Sequence, residues 1–259
     1  MKKLHMQLLP MIFLLCWLAI GLVVHAQEAP QPSVAPDSLK AFTQKVSQAY
    51  AKASYLSFRV KYLYANAGRP ADYLDSALGT VQMGRGCSRV VIDSTEMVFT
   101  NRYAIRVLRD DKLIYLSAPA RVETQNPVGM LDSIFAHMSG LGARMYRQKG
   151  EDVLLLDFPA GGPYTRMEIT VDDKTGYFRN IAYTVNAIGL VGRDMIESPD
   201  HPGPYESSGR VYVLFSDYQN GHFDDRLFSE DNFFTRVAGK FTPSDRFKDY
   251  RIFLASSNL

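Results

Sequence analysis

Residues 57–64 read Ser57-Phe58-Arg59-Val60-Lys61-Tyr62-Leu63-Tyr64, and the alternation in this stretch decides the fold class. Phe58, Val60, Tyr62 and Tyr64 fall on one side of an extended backbone. Ser57, Arg59 and Lys61 fall on the other, because successive side chains of a strand point to opposite faces. Such a strand belongs to a sheet with one buried face. Working outward, similar strands are predicted at 77–84, 87–94, 96–100, 103–109 and 112–117, then at 143–149, 152–158, 164–172 and 177–186. Asp110-Asp111 before Lys112 makes a tight turn between two of them. Asp172-Asp173-Lys174-Thr175-Gly176 makes another, with Gly176 ready for positive φ. Val211, Tyr212, Val213, Leu214 and Phe215 resume a strand buried on both sides, and the tail 241–254 is a Phe/Tyr-rich strand candidate after Pro243-Ser244-Asp245.

Two amphipathic helices are available to cover the sheet. Asp37 is the expected N-cap of the first, over 38–53, where Leu39, Phe42, Val46, Ala49, Tyr50 and Ala53 make one stripe. Asn126 and Pro127 open the second, over 127–139, with Val128, Leu131, Ile134, Phe135 and Met138 on its stripe and Gly140-Leu141-Gly142 closing it. The predicted architecture is therefore α+β, mainly antiparallel β, with the helices laid on the sheet. If helix and sheet meet completely, Phe58, Val60, Tyr62 and Tyr64 are core. If they meet loosely, the gap is a ligand cavity walled by these residues together with Leu131 and Phe135. Residues 187–209 break the pattern with three Pro and four Gly, a long loop excursion of the kind that binds or stays irregular. No repeat or composition shift marks a second domain, so 37–259 reads as one.

Residues 1–26 read as an export signal. Lys2 and Lys3 precede the apolar run Leu8–Val24, and Val24-His25-Ala26 places a cleavage site before Gln27. The competing reading is an uncleaved anchor, for which the 17-residue run with Pro10 near its start is short. Pro-rich 27–36 is a flexible leader. Cleavage leaves 233 of the 259 residues, enough for one domain with a real core. Without Lys2 and Lys3 the 29 basic residues fall to 27, equal to the 27 acids, so no global field recruits nucleic acid. Cys16 leaves with the signal, and Cys87 alone cannot form an internal disulfide. Cys87 is either a nucleophile or bridging thiol, or a small residue at a strand start. No matched base accompanies it.

Chemistry finds little purchase elsewhere. His137, His201 and His222 lie far apart without Cys at ligand spacing, so no metal site is expected. Ser207-Ser208-Gly209 lacks the strand-turn-helix setting of a nucleophile elbow. The pairs Asp110/Asp111 and Asp172/Asp173 sit in hairpin turns, where Asp is a default former. Met83-Gly84-Arg85-Gly86 precedes no helix, so no phosphate loop forms. Nothing calls for a cofactor or for an enzyme.

Three stretches carry a resemblance. Gly79 through Arg85-Gly86 to Arg89 and Ile92 looks like a strand pair with a basic residue at its turn. Asp110-Asp111-Lys112-Leu113-Ile114-Tyr115-Leu116 to Pro119 resembles a turn, aromatic strand and closing Pro. Val213–Asn220 followed by Phe228 resembles a late strand with Asn and Phe. In this order they resemble the LolA and LolB superfamily of periplasmic lipoprotein carriers, over roughly residues 38–230. Asp111 stands where that family has Gly, and Gly86 where it has Pro. The resemblance implies an incomplete, half-open antiparallel barrel covered by helices, in the periplasm or cell envelope, accepting a lipid or an acylated protein, with Arg85 as the matching basic residue. An envelope protein partner is also compatible with it. The rival reading keeps the fold with a filled core, as an interaction or sensing module whose 187–209 loop and C-terminal extension make the contacts.

Overall fold

The computed structural model describes residues 36–119, 131, 134, 140–193, 196, 203–256 and 259. The expected export signal 1–26, residues 27–35 of the expected leader and Phe135 lie outside the described residues, while Pro36 opens a helix. Helix α1 runs Pro36–Ala51. It starts two residues earlier than predicted, because a proline is tolerated in the first turn, where its missing N–H costs nothing. Asp37 is accordingly inside the first turn rather than capping it, still favourably placed against the helix dipole. Phe42, Val46 and Tyr50, spaced by four, are its buried stripe.

The strands follow as β1 Tyr55–Asn66, β2 Tyr73–Gly84, β3 Cys87–Ile92, β4 Thr95–Phe99, β5 Ala104–Leu108, β6 Leu113–Ser117, β7 Gly142–Gln148, β8 Glu151–Asp157, β9 Tyr164–Asp172, β10 Phe178–Asn186, β11 Ser208–Asn220, β12 Phe234–Val237, β13 Lys240–Pro243 and β14 Arg251–Leu254. Twelve form one open sheet in the order β14-β6-β5-β4-β3-β2-β1-β11-β10-β9-β8-β7, and β12-β13 form a separate ribbon. The fold is mainly antiparallel β, as the alternation predicts. Strand β14 pairs with β6 in parallel. The tail expected as a strand over 241–254 is instead β13, a single 3-10 turn at Asp245–Phe247, and β14. Residue pairs bearing positive φ make the expected hairpins tight. Arg85 and Gly86, at φ 50° and 74°, form the two-residue turn from β2 to β3. At the β9–β10 turn Gly176 has φ 76°, and the Asp172 carboxylate accepts from the backbone N–H of Thr175 at 2.8 Å, which holds it far below the usual carboxylate range. Of the second predicted helix, Leu131 and Ile134 are described; both are helical, and Leu131 is fully buried.

Contacts divide the chain into two units. The first holds residues up to Ala49, Lys61–Ala77 and Ile134–Phe215. Here Lys45 of α1 donates to the Asp152 carboxylate at 2.5 Å and the Asp173 carbonyl at 2.7 Å, and the apolar run Val153–Leu156 of β8 is buried on both faces. The second holds Tyr50–Val60, Leu78–Ser133 and Ser216–Leu259. In it, cross-strand register sorts the side chains into two faces. Val81, Val90, Met97, Arg106 and Tyr115 form one row, continued by Phe253. Gln82, Arg89, Val98, Ile105 and Leu116 form the row behind it.

That rear face is covered by the C-terminal extension. Phe228, Phe233, Phe234 and Phe247 pack on Val98, Ile105, Val107, Ile114 and Leu116. Phe233 stacks on Phe247 with ring centroids 5.8 Å apart. Each such Phe contributes roughly 1.5–3 kcal/mol on burial, so the extension is part of the folded unit. Charge pins it too. Glu96, 1% exposed, accepts from Arg89 at 2.8 Å, from Arg109 at 2.7 Å and from Arg246 of the extension at 3.4 Å. Burial by itself would raise the Glu96 carboxyl, but the hydrogen bonds from Arg109 and Arg89 outweigh it and the net shift is downward.

Candidate functional site

The front face of the second unit begins at β1. Phe58 is 1% exposed. The Tyr50 ring of α1 meets it edge-on at 6.1 Å and the Tyr218 ring of β11 stacks on it at 4.9 Å. The two tyrosine hydroxyls bond each other at 2.7 Å. Val60 is also buried, and it meets Ile92 over Gly79: a Cβ on Gly79 would lie 2.7 Å from Ile92 Cγ1 and 2.9 Å from Val60 Cγ2. Glycine is what lets two branched side chains close over the strand between them. Phe58, Val60, Val90, Ile92 and Met97 are all buried.

Tyr62 and Tyr64 belong to the first unit. Tyr62 is half-buried. Tyr64 is buried, its ring lying over Gly209, edge-on to Tyr205 at 5.6 Å. Its hydroxyl has no hydrogen-bond partner among the described residues, and burial, reinforced by Tyr205 and Glu206, pushes it up to about 12. Leu131 is buried in the second unit.

Along the front row of the second unit, exposure grows toward the β14 edge. Val90 and Met97 are dry, Arg106 and Tyr115 half-buried, and Phe253 is 56% exposed, its ring 5.3 Å from that of Tyr115. Arg106 stands between Met97 and Tyr115. It makes no hydrogen bond or ion pair with any described residue, and burial draws its pKa down. Arg106 is the one charged side chain in this row, and it is half-buried.

Arg85 is elsewhere. It lines a cleft of about 340 Å3 with Gly84, Cys87, Thr100, Asp225 and Glu230. Its guanidinium pairs with Asp225 at 2.9 Å and lies over the Tyr55 ring, and Tyr55 donates to Asp225 at 2.6 Å. Glu230 accepts from Thr100 at 3.1 Å and is paired with Arg102. The family-matched basic residue is therefore engaged in fastening the C-terminal extension. Burial, then Asp225 and Glu230, raise the Cys87 thiol, which keeps it protonated and a weak nucleophile. Among the described residues no group of three or more His, Cys, Asp or Glu could hold a metal ion. Within the cleft Arg85 is paired with Asp225 and Arg102 with Glu230, and Asp231 adds a further carboxylate.

Sequence reasoning placed Arg85 in its turn but missed Asp225, Glu230 and the aromatic cover, which are linked to it only through space. It missed Arg106 as well, whose alternation with Ile105 and Val107 reads as an ordinary solvent-facing charge.

No family model and no curated protein matches the chain. Solved structures do. An uncharacterized conserved protein from Thermus thermophilus is 11% identical, with 84% of this chain and 99% of that one covered and a TM-score of 0.46. A LolA superfamily protein from Nitrosomonas europaea is 13% identical over 75% and 99%, with a TM-score of 0.34. The Mycobacterium tuberculosis lipoprotein LppX is 14% identical over 73% and 99%, with a TM-score of 0.37. All three TM-scores lie below 0.5, and nothing about ligand or activity follows from them.

Proposed function

We propose that this chain is an exported, non-enzymatic protein of the periplasm or cell envelope that binds a lipid or an acylated protein against its front sheet face. The observation that carries this reading is the apolar row Val90–Met97, dry at its inner end and open toward β14. Such a graded apolar surface suits a chain that enters from one side. In this reading Phe58, Val60 and Leu131 contribute the inner wall; Tyr62 and Tyr64 continue the same strand in the first unit, and the part assigned to Phe135 rests on its sequence stripe alone. The half-open barrel with helices as its lid is part of this proposal. Arg85 serves the C-terminal extension and leaves the ligand alone.

The test uses a fluorescent fatty-acid analogue titrated against wild type and Tyr115→Glu, with thermal melts alongside. Tyr115 is half-buried, so a carboxylate there reaches water and the melt stays cooperative near the wild-type midpoint while probe binding is lost. A wild type that never binds the probe overturns the reading. A second reading, a protein-interaction module, draws on the exposed apolar residues Val237 at the tip of the β12–β13 ribbon and Phe253 and Leu254 on edge strand β14. It predicts no probe binding, and capture of an envelope protein that Phe253→Ser abolishes.

A further inference from the structure

Strand β14 ends the order of the twelve-stranded sheet, so one side of it pairs with β6 and the other has no strand beside it among the described residues. The parallel register decides which backbone groups are left over. Arg251 N–H donates to the Lys112 carbonyl at 3.0 Å and Ala255 N–H to the Leu116 carbonyl at 2.7 Å, with Phe253 opposite Tyr115 between them. Arg251, Phe253 and Ala255 therefore turn their backbone groups to β6, and Ile252 and Leu254 turn theirs to the free side. The side chains at this border are apolar. Phe253 is 56% and Leu254 47% exposed, and Arg251 is the one charge in the strand. The border strand at the other end of the sheet, β7, carries Arg144 and Arg147, charges of the kind that keep an edge from pairing.

We propose that the β14 edge pairs antiparallel with the β14 edge of a second copy of this chain, about a two-fold axis at Phe253. This rests on the interaction reading of that edge, for which it names the partner, and it does not depend on the lipid site. In this register the strand is complementary to itself. Ile252 lies opposite Leu254 of the second copy, and Leu254 opposite its Ile252, each pair exchanging both backbone hydrogen bonds. Phe253 meets its own counterpart on the axis, which extends the 5.3 Å contact between Tyr115 and Phe253 into a continuous aromatic row. Arg251 falls opposite Ala255, and the two copies of Arg251 stand about 14 Å apart along the strands, beyond the screening length at physiological salt. No like charges are opposed. An axis at Ile252 would set Leu254 against Tyr250, whose N–H already goes to the Phe247 carbonyl at 2.8 Å. An axis at Leu254 would set Ile252 against Ser256, past the end of the strand. One short strand from each copy makes a contact at the small end of specific interfaces, so the dimer forms and dissociates with concentration.

The test is sedimentation velocity of the full chain recovered from an export-competent cell, over a wide range of concentration. Wild type passes from monomer to dimer as concentration rises. Phe253→Lys sets like charges on the axis, and Leu254→Pro removes an outward N–H while leaving the bonds to β6. Both stay monomeric at the highest concentration, with melting midpoints within a few degrees of wild type. The register has its own readout. Phe253→Cys in a Cys87→Ser background closes a disulfide-linked dimer under a mild oxidant, because opposed residues at a non-hydrogen-bonded position lie about 4.5 Å apart between Cα atoms. Arg251→Cys in the same background stays monomeric under the oxidant. A wild type that is monomeric throughout overturns the pairing whatever the variants do, and leaves the interaction reading to its own capture experiment. A dimer that survives Phe253→Lys or Leu254→Pro, or that Val237→Lys dissolves, has its contact elsewhere and overturns the pairing too. Arg251→Cys crosslinking as readily as Phe253→Cys overturns the axis at Phe253.

Discussion

Replacing Glu96 by Gln tests whether charge fastens the C-terminal extension to the sheet. Glu96 is 1% exposed and accepts from Arg89, Arg109 and Arg246, whose side chains are 20%, 39% and 52% exposed. Removing one partner of a fully buried pair costs about 3–5 kcal/mol. Here two of the three arginines keep substantial contact with water, which screens their loss, so the expected cost at pH 7 is about 2 kcal/mol. The pH dependence carries the sharper signature. The folded carboxyl titrates below its ordinary value, so between the two values the unfolded chain binds more protons and stability rises with pH. The stabilisation is complete above the unfolded value, near 4.5, and disappears as pH falls through the folded one. Urea melts of wild type and Glu96→Gln at pH 7, 5, 4 and 3 measure both. The gap between the two proteins should be constant from pH 7 to 5 and narrow below pH 4.5. A gap under about 0.5 kcal/mol at pH 7, or one that persists unchanged at pH 3 in a still-folded protein, would refute the argument.

Gly79→Ala should destabilise by about 1–3 kcal/mol in chemical denaturation, because the added methyl meets the Val91 carbonyl at 2.7 Å as well as two branched side chains; a neutral result would mean that Val60 and Ile92 do not close over β2. Cys87→Ser should leave the thermal midpoint within a few degrees of wild type and probe binding unchanged, and the wild-type thiol should react slowly with a disulfide reagent at pH 7 because burial raises it. Lost binding at unchanged stability would assign the thiol a chemical role. Intact-mass measurement of protein recovered from an export-competent cell should find Gln27 as the first residue, and retention of residues 1–26 would contradict the signal reading.

The strands were legible because their pattern is local. β9, Tyr164–Asp172, falls where alternation and flanking turns put it, and Gly176 marked the turn that follows. α1 was legible from the spacing of Phe42, Val46 and Tyr50. The C-terminal cover was not, because 3-10 turns at Asp225–Phe228 and Asp245–Phe247 have no period to detect, and their aromatic residues find partners more than a hundred positions away. Arg106 shows a different limit. Alternation says that it faces away from Ile105 and Val107, but whether that second face meets water depends on what the rest of the chain lays over it. Arg85 was placed correctly in its turn, yet its partner Asp225 is set by tertiary contact alone.

The interleaving of early and late segments has a consequence for biogenesis. β1 stands in the sheet between β2 and β11, and β14, near the end of the chain, forms the border beside β6. A polypeptide emerging N-terminus first can zip β2 through β6 as successive hairpins almost at once. Its centre and its aromatic cover then wait for residues 208–254. Such long-range pairing makes folding slow and leaves unpaired strand edges exposed meanwhile. A nascent chain in that interval is unfinished and open to capture, a condition suited to threading through a translocation pore and hazardous if threading stalls.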